Sequence, residues 1–220
     1  MTVAGTGLLL DFGGVMTSSL HGRMAEFCVA AGLPADAIAT ALAGTEQARS
    51  VTALAEAGLV PQRDFELMLA GQLGLPADGL IAALLDATAF TPRPETIDLA
   101  RRARAAGVPT GLLSNSWGGG GYDVYAGFDL AAMFDVVVIS HLVGLRKPEA
   151  PIYELAAARL GVAPADCVFV DDTRRNVTAA RALGMAAVHF TGEPAQLTEV
   201  ERLIGLGQPA AGRSGGDGDG

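Results

Sequence analysis

Four short stretches of this chain hold residues able to do acid, base or nucleophilic chemistry. They are Asp11-Phe12-Gly13-Gly14-Val15, Ser114-Asn115-Ser116, Gly144-Leu145-Arg146-Lys147-Pro148 and Asp171-Asp172-Thr173. Each alone has an ordinary structural use: an Asp that caps a helix, a Ser-Asn turn, a Lys-Pro approach to a helix. Brought to one place, they become a site. The carboxylates of Asp11, Asp171 and Asp172 repel one another unless a cation neutralises them, and hard oxygen ligands of this kind suit Mg²⁺. Mg²⁺ and Lys147 can then clamp phosphate oxygens, while Ser114 and backbone N–H groups donate hydrogen bonds. A carboxylate in such a setting can attack phosphorus and form an aspartyl-phosphate. Lys147 is the single lysine beside 14 arginines. Its compact ammonium can reach a carboxylate and a phosphoryl oxygen together, where a guanidinium is too broad. The plainer use of that lysine is an incidental surface charge.

The pattern along the chain supplies elements to hold these residues. Apolar runs of strand length occur at Gly7 to Asp11, Pro109 to Leu113, Val136 to Ser140, Cys167 to Asp171 and Ala186 to Phe190. Continuous rather than alternating apolar runs suit a parallel sheet covered on both faces. Helical patterns lie between them. Ile152, Leu155, Ala156 and Leu160 follow Pro151 and stop at Gly161; Val177, Ala180 and Leu183 stop at Gly184; Leu197, Val200, Leu203 and Ile204 follow Pro194. Strand–helix alternation at this spacing predicts an α/β fold with a Rossmann-like parallel sheet. Sheets of this type present functional residues at the carboxyl ends of their strands.

Residues 18–89 break the alternation, with no strand-like run. Leu20, Met24, Phe27, Cys28 and Ala31 share one helical face; Phe65, Met68, Leu69 and Leu73 share another; Ile81, Leu84 and Leu85 share a third. Gly32-Leu33-Pro34-Ala35-Asp36 and Gly74-Leu75-Pro76-Ala77-Asp78 read as the same punctuation used twice, Gly ending one helix and Pro beginning the next. The expected organisation is an α/β core of residues 1–17 and 90–206, a small all-helical cap of residues 18–89 inserted after the first strand, and a disordered Gly/Ser/Asp tail of residues 207–220.

Composition narrows the partners. The 220 residues carry 24 acidic and 15 basic side chains, a net charge of −9, which excludes a nucleic-acid backbone as the main partner. No apolar run approaches the ~20 residues that span a bilayer, and the first residues lack the charged region of a signal peptide. Cys28 and Cys167 cannot build a disulfide framework. A cytoplasmic protein acting away from membranes is expected.

The segments LLLDFGGV, GLLSNS, GLRKPEAPIY and VFVDDTRRNVTAA resemble, in order and spacing, the four motifs of the haloacid dehalogenase-like (HAD) hydrolases. The resemblance runs from about Leu8 to Phe190, and the helical insert after motif one is similar to the cap of subfamily I. It implies Asp11 as nucleophile and Mg²⁺ ligand and Gly13 as a metal ligand through its carbonyl. It places Gly13 and Gly14 with Ser114, Asn115 and Lys147 around the bound phosphoryl group, with Lys147 stabilising the charge that develops there. Of the paired acids, it implies Asp172 as the direct Mg²⁺ ligand and Asp171 as one acting through water, and it leaves Asn176 to order the loop. Phe12 to Ser19 would be the turn leading into the cap.

One departure matters. Phosphatases of that family usually carry a second Asp two residues after the nucleophile, as general acid and base; here the position is Gly13. Three readings follow: an Mg²⁺-dependent phosphatase of a small phosphorylated metabolite, a metal-independent 2-haloacid dehalogenase, and a non-catalytic HAD-fold protein that binds a ligand or partner. The acid pair beside Lys147 favours the first. His21 and His141 are candidates to replace the missing acid, since histidine titrates near neutrality. Leu20, Arg23, Arg49 and Trp117 are candidates to line the substrate pocket, Trp117 alternatively plugging the seam between cap and core. The oligomeric state is open, a homodimer included.

Overall fold

The computed structural model describes residues 6–86, 90–118 and 123–206. The expected tail at 207–220, the last residues of the expected cap and most of the glycine run after Trp117 lie outside these.

Strands β1 (Gly7–Leu10), β2 (Thr110–Ser114), β3 (Val136–Ile139), β4 (Cys167–Asp171) and β5 (Ala186–His189) form one sheet in the order β3-β2-β1-β4-β5. Every pairing is parallel, with Leu10 opposite Leu112 on one side and Val170 on the other. Side chains alternate across β1, so both faces need cover. Leu8 and Leu10 pack with Leu112 and Val170 against α6 (Pro94–Ala105) and α11 (Pro194–Leu203). Leu9 packs with Leu113 and Phe169 against α9 (Ala150–Leu160) and α10 (Arg174–Ala182). That two-sided burial is why the strands read as unbroken apolar runs.

Strand ends differ from the expected runs by a residue. Pro109 has no N–H to give the ladder and lies outside β2, though its carbonyl accepts from Leu8 N at 2.8 Å. Ser140, expected to close a strand, instead opens the short helix α8 (Ser140–Val143).

Between β1 and β2 the chain forms α1 (Leu20–Ala30), α2 (Ala37–Ala43), α3 (Glu46–Glu56), α4 (Gln62–Leu73) and α5 (Leu80–Leu84). They surround a core of their own built from Met24, Cys28, Ile38, Phe65, Leu69 and Ile81. Gly74 ends α4 at φ 66° and Gly161 ends α9 at φ 74°, the left-handed caps their spacing suggests. The prolines do not open the next helices as expected: α2 starts three residues after Pro34 and α5 four residues after Pro76. The two chain crossings between this segment and the sheet run side by side. Ser18 N donates to Thr91 O at 2.8 Å, Arg93 N donates to Met16 O at 2.9 Å, and Thr17 and Pro92 form an antiparallel bridge. No described helix is long and apolar enough to cross a membrane.

Candidate active site

The strand order reverses at β1 and β4, and their carboxyl ends open on one crevice. Asp11 leaves the end of β1, Ser114 closes β2 and Asp171 closes β4. Lys147 arrives from the loop between α8 and α9. A two-way clamp fixes that loop: Lys147 N donates to Asn115 Oδ1 at 2.9 Å, and Asn115 Nδ2 donates to Lys147 O at 3.0 Å. Asn115 thus positions the lysine backbone beside β2.

The ammonium of Lys147 is 1% exposed and lies 2.8 Å from Asp11 Oδ1 and 2.7 Å from Asp171 Oδ2. Its third donor goes to Leu113 O at 2.8 Å. All three hydrogens therefore have protein partners, and what the ammonium still offers the cleft is its charge rather than a spare donor. Burial alone would lower its pKa, but the charges of Asp11 and Asp171 win and hold it above the usual lysine range.

Asp11 Oδ1 also accepts from Phe12 N at 2.7 Å. Asp11 also lines the cleft. Burial raises the Asp11 pKa well above the carboxylate range, with Lys147 opposing and the charges of Asp171 and Asp172 adding to the rise. Asp172 is likewise raised, first by burial and then by Asp171. Carboxylates so crowded favour a bound cation. Oxygens of Asp11, Asp171 and Asp172 all lie within 4.8 Å of one another, a hard donor set that fits Mg²⁺.

The two neighbouring acids are differently placed. Asp171 is fully buried; Oδ1 accepts from Thr173 N at 2.7 Å, Oδ2 accepts from Lys147, and Asn176 Nδ2 donates to both at 3.1 Å. Its oxygens are engaged by Lys147, Thr173 and Asn176 together. Asp172 is half-buried and lines the cleft, with Thr173 Oγ1 donating to its Oδ1 at 3.1 Å. Gly14 sits against that carboxylate at φ 80°, where any side chain would run into Asp172. Gly13, by contrast, is not in the left-handed region, and an added Cβ there would meet only Leu20 Cβ, at 3.8 Å.

Of the two candidate histidines, His21 lines the cleft and acts electrostatically on Asp172. His141 does not line it; burial pushes its imidazole pKa down, away from this site. Trp117 does both things considered for it: it is buried against Phe65 at 5.2 Å between ring centres, and it lines the cleft. Leu20 lines the cleft too. Arg23 and Arg49 do not; they donate to Ala83 O and Ala43 O.

Two further contacts carry no motif. The Tyr125 hydroxyl donates to Ser114 Oγ at 2.9 Å, and burial lifts its pKa to about 12, so it stays a donor. Arg146, next to the lysine, reaches across to Glu56 Oε2 at 2.6 Å, both side chains nearly buried. This pair ties the end of α3 to the lysine loop. Glu56→Gln is expected to cost about 2 kcal/mol, the worth of a charged hydrogen bond, or roughly 4–8 °C in a thermal melt of a chain this size. A melt unchanged from wild type would show that the pair does not hold the helical segment down. Arg146 had a sequence signal in its neighbour; Glu56, 90 residues away, had none.

A family model, "haloacid dehalogenase-like hydrolase", matches residues 6–184. The sesquiterpene phosphatase AstK of Aspergillus oryzae is 29% identical over 151 residues, 68% of this chain and 77% of that protein. The phosphoglycolate phosphatase of Escherichia coli is 33% identical over 98 residues, 44% of this chain and 39% of that enzyme. Among solved structures, a HAD family enzyme of Bacteroides thetaiotaomicron superposes with a TM-score of 0.65 at 22% identity, covering 87% of this chain and 97% of that one. It has also been solved as a magnesium complex.

Proposed function

The chain belongs to the haloacid dehalogenase-like hydrolases, and from that premise we propose that it is a Mg²⁺-dependent phosphohydrolase working through an aspartyl-phosphate on a small phosphorylated metabolite. The observation that carries the reading is the Lys147 ammonium seated between Asp11 and Asp171, with Asp11 lining the cleft beside Asp172. Relatives named for phosphatase activity support a phosphoryl substrate; the alcohols in their names differ.

The chemistry follows from the placement. Asp11 Oδ2 attacks phosphorus, the bond from phosphorus to the ester oxygen breaks, and the alkoxide leaves with a proton from water. Lys147 opposes the protonation of Asp11 that burial favours and balances the charge gathering on the phosphoryl oxygens, with Ser114 bonding one of them. Water then attacks the aspartyl-phosphate, releasing inorganic phosphate and restoring the carboxylate. Asp11, Asp172 and the Gly13 carbonyl would hold Mg²⁺, whose charge offsets both the acids and the phosphoryl group. Asp171, its oxygens already engaged, supports that set by orienting Lys147.

Mg²⁺ at about 100-fold over its dissociation constant is expected to stabilise the fold by about 2.7 kcal/mol, or roughly 5–11 °C at this chain length. Asp172→Asn should remove that shift and the Mg²⁺-dependent release of phosphate from a panel of phosphate esters. Turnover undiminished in EDTA, or release of halide from a 2-haloacid in the same panel, would overturn the reading.

A further inference from the structure

Resting on the phosphohydrolase reading, we infer that the alcohol carried by the substrate is apolar and uncharged, lying against Leu20, Leu85, Phe90, Trp117 and Val124. These five line the same cleft as Asp11, Ser114 and Lys147. The polar end is supplied by the strand termini, the apolar wall by α1, the segment after α5 and the loop after β2. A pocket of this make-up fixes a ligand by a few polar groups and gains affinity from apolar burial. Trp117 is braced by Phe65 within the helical core, so the wall is a packed surface rather than loose side chains.

The charges on the helical side of the cleft disfavour the alternative. A carboxylate or second phosphate on the alcohol, enclosed there, would need a cationic partner, because burying an unpaired charge is costly. The segment 18–89 has three basic side chains besides His21, and all are engaged elsewhere. Arg23 bonds Ala83 O, Arg49 bonds Ala43 O, and Arg63 pairs with Glu66 and Asp78. None lines the cleft. The acid that does, Glu56, is taken up by Arg146 and adds no attraction for an anion. Arg175, on the first turn of α10, is the one arginine among the described residues lining the cleft; it stands exposed on the opposite, sheet-bearing side.

The test is a series of straight-chain alkyl monophosphates of increasing length, with phosphoglycolate and acetyl phosphate alongside, all with Mg²⁺. The expected result is kcat/KM rising about fourfold for each methylene buried, phosphoglycolate falling below an alkyl phosphate of equal size, and Leu20→Asn flattening the rise. The wild-type series decides even if that variant folds poorly. A flat series, or a preference for phosphoglycolate that Arg175→Ala abolishes, would overturn the inference while acetyl phosphate turnover kept the phosphohydrolase reading. Failure to turn over acetyl phosphate as well would remove both.

Discussion

Lys147→Met is expected to melt well below the wild type and to release phosphate at least ~10²–10³-fold more slowly, the scale of losing one preorganised electrostatic donor. The two effects share a cause. The ammonium is 1% exposed and stands between Asp11 and Asp171 at 2.8 and 2.7 Å. Removing it leaves two buried carboxylates facing each other, and breaking a buried pair from one side costs about 3–5 kcal/mol, or roughly 6–20 °C at this chain length. Lys147→Arg should not rescue, since Asn115 fixes the backbone on both sides and the wider guanidinium has no room between the acids. The pH dependence has a defined sign. The folded-state pKa of Lys147 lies above its unfolded value, so its contribution is complete below the ordinary lysine value near ~10.4 and is lost only as pH rises through the folded value. No alkaline loss of activity between pH 7 and 9 should therefore trace to this lysine. A Lys147→Met protein that melts with the wild type and keeps most of its rate would dissolve the site.

The central strands β1, β2 and β4 were readable because they are covered on both faces. Leu8, Leu9 and Leu10 are all fully buried, so nothing polar interrupts the run. The residues that follow such runs fall at carboxyl ends by topology alone, which is how Asp11, Ser114 and Asp171 came together. Other parts were not readable. Helix α2, Ala-rich over seven residues, has too few large apolar positions to show a period. Asp171 and Asp172 are adjacent in sequence, yet Asp171 ends β4 fully buried while Asp172, in the bend just beyond the strand, lines the cleft. His21 and His141 have equal standing as sequence; only the fold brings the first to the cleft and leaves the second outside it. Tyr125 belongs to no periodic element, and its bond to Ser114 depends on how an irregular loop returns.

The cleft offers one proton carrier fewer than a two-carboxylate phosphatase would, and Gly13 is where it is missing. On the proposed aspartyl-phosphate route, the departing alkoxide would draw its proton from water, and no carboxylate at position 13 would activate water against the intermediate. General acid–base help is worth ~10²–10⁴-fold, and its loss weighs most on poor leaving groups. Aryl and acyl phosphates should therefore outpace alkyl phosphates, with a burst of released alcohol ahead of slow turnover. Gly13→Asp tests the cause directly. The position lies outside the left-handed region, lines the cleft, and has only Leu20 Cβ within 4 Å of an added Cβ, at 3.8 Å. The same change at Gly14 would collide with Asp172. Gly13→Asp is thus expected to raise steady-state hydrolysis of alkyl phosphates by ~10² or more and to shrink the burst, measured by rapid-quench release of alcohol and phosphate. If alkyl and aryl esters already react alike without a burst, the proton has another source. His21 is then the residue to replace: it lines the cleft beside Asp172, and His21→Ala should bring out the leaving-group dependence that the wild type lacked.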